Sequence, residues 1–280
     1  MKNILFSGNN NVFDGVVTCM LSIFKRSVST EPICFYIMTM DVSHLREDFI
    51  PISDKQIDFI DRVAKSYNKE NCVKKVDVTS LYQKEFAGCP NEGAYCSPYT
   101  LLRLFADMAL PEVTGKLLYL DVDIMFNRDI DLLYNVDLTG YEYAASTDHY
   151  GKFLIRPDYI NAGVILFNMD ECRKTGLFEK ARNQIKTKKW LFADQDALWH
   201  STTKKKILPQ KFNDQKFLWK HTVVRHFSKR LFYLPYPHTD NIKQWHVEKM
   251  HKVFKYTQFD DCLDEYLKLN GRLSLIIEIA

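Results

Sequence analysis

The chain has 280 residues, 46% of them apolar, 14% aromatic and 26% charged, with 10 Gly and 9 Pro; this excludes disorder, collagen and coiled coil, and the length suffices for one large domain or two small ones. The formal charge of +3 is a cancellation, because residues 173–256 hold 20 Lys and Arg against 6 Asp and Glu whereas residues 1–172 hold 16 against 24. An anionic ligand should therefore meet the later part, and the carboxylates of the earlier part need a purpose of their own.

Lys2 is followed only by Ile4-Leu5-Phe6 before the polar Ser7-Gly8-Asn9, too short an apolar stretch for a signal peptide, so residues 4–7 read as a first strand. A turn through Asn9, Asn10 and Asn11 leads into a helix over 12–25, with Val16, Val17, Met20, Leu21 and Phe24 at helical spacing. Strands are expected at 33–38 and 73–78, with a helix over 54–67 between them. Ser97-Pro98 opens the next helix as a capping residue followed by Pro at the first helical position, and Pro111 closes it. Residues 116–120 form a buried strand that runs into Asp121-Val122-Asp123, and 161–167 form another, leading into a basic helix over about 171–186. A short helix follows Asp194, a strand is expected at 223–227, and helices over 243–256 and 260–269 end at the cap pair Asn270-Gly271. Alternating strands and helices mark an α/β domain with a mainly parallel sheet, bounded at 1–242, and 243–280 is a helical extension packed on it.

The seven cysteines (Cys19, Cys34, Cys72, Cys89, Cys96, Cys172 and Cys262) contain no C-x-x-C pair, which fits a reducing compartment better than a disulfide framework or a zinc knuckle. The longest apolar runs, such as 162–167, fall well below the ~18 residues of a membrane span. The expected location is the cytoplasm, with peripheral attachment to the inner face of the membrane a compatible state.

Side chains two apart on an extended segment face the same way, so Asp121 and Asp123 can aim at one ligand while Val122 points to the core. Two converging carboxylates repel unless a cation lies between them, and oxygen ligands suit Mg2+ or Mn2+, which bridge proteins to diphosphates. The bland alternative is a solvated loop carrying two unrelated aspartates. Ligands of open α/β sheets bind outside the carboxyl ends of strands, where this pair lies.

The segment resembles the D-x-D region of nucleotide-sugar glycosyltransferases with a GT-A fold, and an ordered set of stretches resembles family 8 of those enzymes. The set comprises Ile4-Leu5-Phe6-Ser7 with its Asn-rich turn, Ser97-Pro98-Tyr99-Thr100-Leu101-Leu102-Arg103-Leu104, Leu118-Tyr119-Leu120-Asp121-Val122-Asp123, Tyr159-Ile160-Asn161-Ala162-Gly163-Val164, Ala193-Asp194-Gln195-Asp196-Ala197-Leu198 and Arg225-His226-Phe227. The resemblance implies a GT-A fold with a short C-terminal helical tail and metal-dependent transfer of a hexose from a UDP-sugar to the hydroxyl of a glycan, glycolipid or glycoprotein, with retention at the anomeric carbon. By the same resemblance Asp121, Asp123 and His226 bind Mn2+ or Mg2+, Arg103 contacts the donor, and Asp194 and Gln195 hold the sugar hydroxyls beside the anomeric carbon. Asn161, Ala162 and Gly163 line the sugar, and Ser7, Asn9, Asn11 and the Val122 backbone belong to the nucleotide-binding set. Retention through same-face attack and retention through a covalent intermediate both remain open, with Gln195 and Asp194 as the catalytic candidates that the resemblance implies.

Two departures stand out. Asn9, Asn10 and Asn11 occupy the place where family members often carry an acidic residue for the nucleoside. The late H-x-x-G-x-x-K-P-W pattern is interrupted, with Lys229 at the Gly position and Phe232 at the Lys position; an inserted loop over 231–241 before Lys243-Gln244-Trp245 restores K-x-W, which selects Lys243 for the diphosphate with Lys229 or Arg230 as substitutes.

A phosphate-transfer enzyme of the haloacid-dehalogenase type also places D-x-D after a buried strand, but on the first strand of its fold, whereas three candidate strands precede it here. A basic protein that binds RNA or an anionic membrane is the third reading. Clusters at 186–190 and 204–206, interleaved with Trp190, Trp199, Trp219 and Trp245, could grip phosphates or lie at a lipid interface. Nucleic acid is not expected as a partner, and an anionic membrane contacted through 173–256 is compatible with the enzyme.

Overall fold

The computed structural model describes residues 1–93, 97–232, 234 and 236–278, with side chains given through 271; Cys96 and two positions of the 231–241 loop lie outside them. The strands are β1 (Lys2–Ser7), β2 (Ile33–Thr39), β3 (Cys72–Asp77), β4 (Lys116–Leu120), β5 (Ile124–Phe126), β6 (Tyr143–Thr147), β7 (Ile160–Asn168), β8 (Lys205–Leu208), β9 (Val224–His226), β10 (Arg230–Phe232) and β11 (His238–Asp240). The helices are α1 (Phe13–Arg26), α2 (Asp54–Tyr67), α3 (Thr79–Phe86), α4 (Ala106–Ala109), α5 (Asp131–Tyr134), α6 (Gly151–Leu154), α7 (Met169–Thr175), α8 (Leu177–Thr187), α9 (Ala193–Ser201), α10 (Val247–Lys249) and α11 (Asp260–Glu278).

Seven strands form one sheet in the order β3-β2-β1-β4-β7-β6-β8. β1 is parallel to β2 and β4, and β7 alone runs against its neighbours β4 and β6. Strand alternation feeds two cores. Ile4 and Phe6 of β1 join the apolar side chains of α1 and α2, while Leu5 between them joins Tyr36, Leu102, Phe105 and the buried faces of α8 and α9. Each such Leu, Ile or Phe contributes roughly 1.5–3 kcal/mol on burial, so covering both faces fixes the register of the central strands. Ser53 and Gln56 cap α2 reciprocally, which starts that helix where the sequence places it.

Several elements differ from expectation. The helix expected at 171–186 is broken into α7 and α8 by Gly176, whose φ of +68° closes the first helix with a left-handed cap. The segment after Ser97 forms a 3-10 helix over Pro98–Phe105 before passing into α4. The expected helix over 243–256 shrinks to α10 and a π-helical turn, Met250–Phe254, leaving 243–246 free to enter the site. α11 runs on past Asn270-Gly271, so that pair is no cap. The sheet edge formed by the carboxyl ends of β1 and β4 is the switch point of the strand order, and the start of antiparallel β7 lies at the same edge.

Candidate active site

A cleft at this edge is lined by Ser7, Gly8 and Asn9 after β1, Tyr99 and Thr100 of the 3-10 helix, Asp121, Val122 and Asp123 after β4, and Lys243 and Trp245. The ribbon of β5 and β9 pairs Ile124 with His226 and so sets the imidazole beside the aspartates. His226 Nε2 lies 3.1 Å from Asp123 Oδ1 and 3.9 Å from Asp121 Oδ2. One ligand atom from each of the three residues falls within 4.8 Å of the others.

The backbone leaves room for this cluster because position 163 is glycine. A Cβ there would stand 2.4 Å from His226 Cε1 and 2.8 Å from Asp121 Oδ2. Sequence alone suggests that Gly163 lets backbone approach a sugar; what approaches it in the fold is the imidazole and carboxylate of the cluster. Two carboxylates and an imidazole around a space cleared by a glycine form a donor set that fits a divalent cation, with the imidazole favouring Mn2+ over the harder Mg2+.

The carboxylates are held by cations of the chain itself. Arg103 is 1% exposed; its guanidinium contacts Asp121 Oδ1 at 2.9 Å and Asp194 Oδ2 at 3.3 Å, donates to the carbonyls of Thr100 and Ala162, and stacks 3.8 Å from the Tyr119 ring centre. Arg103 thus meets its anions inside the chain, and it acts at the site by fixing Asp121 and Asp194. Tyr119 also donates to Asp121 Oδ1 at 2.8 Å. Lys243 donates to Asp123 Oδ2 and, at 3.0 Å, to the Phe227 carbonyl. Burial works against the charge of Asp123, but the Lys243 ammonium and His226 outweigh it and hold the carboxyl well below its usual range. At Asp194 the balance runs the other way: burial pushes the carboxyl up, with Arg103 opposing.

The remaining expected residues fall into two groups. Gln195 accepts from the Ala162 N–H at 3.0 Å, and Asn161 accepts from the Gly163 N–H at 3.1 Å and donates to Asp148 at 3.0 Å, so Asn161, Ala162, Gly163, Asp194 and Gln195 form one wall behind the cluster. Ser7 and Asn9 line the cleft, whereas Asn11 is exposed and turns toward Asp48. Asn9 spends its side chain on the Asn11 N–H and the Asp48 carbonyl. Of the three candidate cations, Lys243 lines the cleft; Arg230 lies over Phe232 and Phe254 instead, and Lys229 is exposed and outside the cleft lining.

Sequence reading passed over Tyr99, Thr100, Tyr119, Asn213 and Gln244. Gln244 is fully buried and donates to the Val122 carbonyl at 2.8 Å, pinning the peptide between the two aspartates. Its place inside Lys243-Gln244-Trp245 was the available signal. Asn213 had none, because its role depends on the pairing of Asp214 with Arg225 across the fold.

Comparison with known proteins agrees with this geometry. A Haemophilus influenzae protein named for glycosyltransferase activity is 27% identical over 208 residues, 70% of this chain and 58% of its own length. Glycosyltransferase GlyA of Streptococcus pneumoniae serotype 4 is 28% identical over 180 residues, 64% of this chain and 22% of its own length. The chain thus spans less than two thirds of the curated relatives it matches. Among solved structures, the apo bifunctional glycosyltransferase WbbM superposes with a TM-score of 0.69 at 17% identity, covering 97% of this chain and 51% of that one. LgtC in complex with donor and acceptor sugar analogues gives 0.62 at 18% identity, covering 96% and 95%. These likenesses establish the GT-A fold. The model of glycosyl transferase family 8 matches residues 3–229, and the chain belongs to that family of glycosyl-transferring enzymes.

Proposed function

We propose that the protein is a metal-dependent, retaining glycosyltransferase that moves a hexose from a UDP-sugar to an acceptor hydroxyl on a glycan, glycolipid or glycoprotein. The observation that carries this reading is the convergence of Asp121, Asp123 and His226 around the space left by Gly163, at the switch-point cleft. Asp121, Asp123 and His226 would hold the cation, which when bound supplies positive charge to the departing diphosphate.

The chain's own groups do the rest. Lys243 already neutralises Asp123, and its flexible ammonium has the reach to follow a diphosphate lying across the cleft. Arg103 and Tyr119 hold Asp121 in one orientation, so the site is organised before a donor arrives. The 3-10 helix and the loop after β1 form the nucleoside side of the cleft, which Tyr99 and Trp245 also line. Asp194 and Gln195, fixed by Arg103 and the Ala162 N–H, stand on the sugar side of the wall. Solved relatives support the substrate class, since LgtC takes donor and acceptor sugar analogues.

Isothermal calorimetry of UDP in the presence of Mn2+ tests the reading. Asp123→Ala is expected to abolish Mn2+-dependent UDP binding; an unchanged affinity would remove the metal assignment. A panel of UDP-sugars assayed for Mn2+-dependent hydrolysis then identifies the donor.

A further inference from the structure

Both ring nitrogens of His226 have defined neighbours. Nε2 faces the aspartates, while Nδ1 lies 3.0 Å from Oδ1 of Asn213, a side chain with no solvent exposure. Which amide atom of Asn213 is the oxygen is determined by a chain of partners anchored at both ends. The Gly163 backbone N–H can only donate, so the Asn161 atom it meets at 3.1 Å is oxygen. The Asp148 carboxylate accepts, so the other Asn161 atom, 3.0 Å away, is nitrogen. The Asn161 oxygen also receives a bond from Asn213 at 2.9 Å, which must come from the Asn213 NH2. The Asn213 atom left facing His226 is therefore an acceptor, and Nδ1 has to supply the proton.

The backbone keeps this arrangement in place. The His226 N–H donates to the Asp214 carbonyl at 3.0 Å, and the Asp214 N–H donates to the Val224 carbonyl at 2.9 Å, so Asn213 is carried on a segment zipped to β9. Gln210 donates to the Asn213 carbonyl at 2.8 Å.

We infer that Asn213 is a positioning residue that retains the proton on Nδ1 of His226 and so presents the Nε2 lone pair to a divalent cation. The inference rests on the metal reading above and adds to it a residue that touches neither metal nor substrate. Its physical content is that a neutral imidazole ligates through one nitrogen only, and the bond made by the other decides which. The same relay ends at Asp148 on the sugar side, so the metal ligand and the sugar wall share one hydrogen-bonded frame. Asn161, with its oxygen doubly engaged and one N–H on Asp148, retains a single N–H for a sugar oxygen.

The test uses the full chain labelled with 15N-histidine, followed by NMR with and without Mg2+, and Mn2+ affinity measured by electron paramagnetic resonance. In the wild type the His226 Nδ1 is expected to carry a proton protected from exchange in both states. Asn213→Leu should lose that protection and weaken Mn2+ about 10–100-fold, the usual effect of removing the partner of a ligating histidine. Asn213→Asp, which keeps an acceptor toward Nδ1 and gives up the NH2 that bonds the Asn161 oxygen, should preserve the protected proton and recover part of the affinity. A merely structural role would not separate these two variants. If Asn213→Leu fails to fold, Asn213→Asp carries the test alone, and loss of its Nδ1 proton overturns the inference. A wild-type ring protonated on Nε2 only overturns it as well, as does Asn213→Leu with unchanged protection and affinity. A wild type that keeps the Nδ1 proton and binds no Mn2+ supports the Asn213 contact and removes the metal reading, which separates the two failures.

Discussion

At the scale of single residues the site is a problem of space and charge. Three ligands can share one point only if the backbone behind them withdraws, and Gly163 provides that withdrawal. Gly163→Ala is therefore expected to cost activity through the cation rather than through the sugar. Its Cβ would press on His226 and Asp121, and overpacking of this kind costs about 1–3 kcal/mol. The measurement is Mn2+ affinity beside a thermal melt: affinity should fall at least tenfold with a modest loss of stability, and a variant that binds Mn2+ normally would show that the cluster has slack. The residue-level chemistry was legible where the motif itself supplies the ligand, as at Asp121 and Asp123. It was illegible where a residue acts through another. Arg103 reads in sequence as a cation waiting for an anion, and only the fold reveals that Asp121, Asp194 and the Tyr119 face already satisfy it.

At the scale of elements, the buried strands were readable because strands covered on both faces become continuous apolar runs whichever way they point, as in Leu117–Leu120 of parallel β4 and Val164–Phe167 of antiparallel β7. β8 escaped for the opposite reason. The Lys-Lys-Ile-Leu of β8 at the sheet edge is half polar, and periodicity cannot distinguish it from a solvated loop. Helix ends were misjudged where a single backbone conformation decides, as at Gly176, or where tertiary packing overrides a cap signal, as at Asn270-Gly271 in α11. That last helix lies against α1: Leu263 is 1% exposed in the same core as Val16 and Met20, while Asp261 pairs with Arg26 at the surface and Tyr266 donates to Asp14. Packing and charge should therefore contribute unequally. Leu263→Ala is expected to destabilise by about 2–5 kcal/mol, as large-to-small core changes do. Asp261→Ala, which breaks an exposed pair, should cost under about 1 kcal/mol. Urea unfolding midpoints compare the two directly, and equal losses would mean that α11 is held by its ion pairs.

At the scale of the whole molecule, the fold redistributes the charge surplus of residues 173–256. Part of it is spent internally: Arg173 donates to the carbonyls of Leu110 and Val113, Arg182 pairs with Asp107, Lys186 with Glu85 and Lys205 with Asp158, Arg225 is buried among Phe227, Phe254 and Tyr256, and Lys243 belongs to the cleft. What remains on the outside includes Lys188 and Lys189, which precede exposed Leu191 at the approach to α9 and its Asp194. Composition made the surplus visible and could not tell these two uses apart, because the partners lie up to 120 residues away in the chain. No helix among the described residues is long and apolar enough to cross a membrane, so contact with a lipid surface would have to be peripheral. For such contact each exposed Lys contributes about 1 kcal/mol against an anionic surface, and the attraction fades within a Debye length of about 8 Å at physiological salt. If residues 173–256 do face an anionic membrane, the protein should co-sediment with phosphatidylglycerol-containing vesicles at low salt, release as salt rises, and ignore pure phosphatidylcholine. Lys188→Ala with Lys189→Ala should then weaken vesicle binding by about 2 kcal/mol, roughly 30-fold, while leaving Mn2+-dependent UDP binding unchanged, because neither side chain lines the cleft. Vesicle binding that persists at high salt would place its origin in apolar insertion, and no binding at low salt would leave the surface lysines to an anionic acceptor.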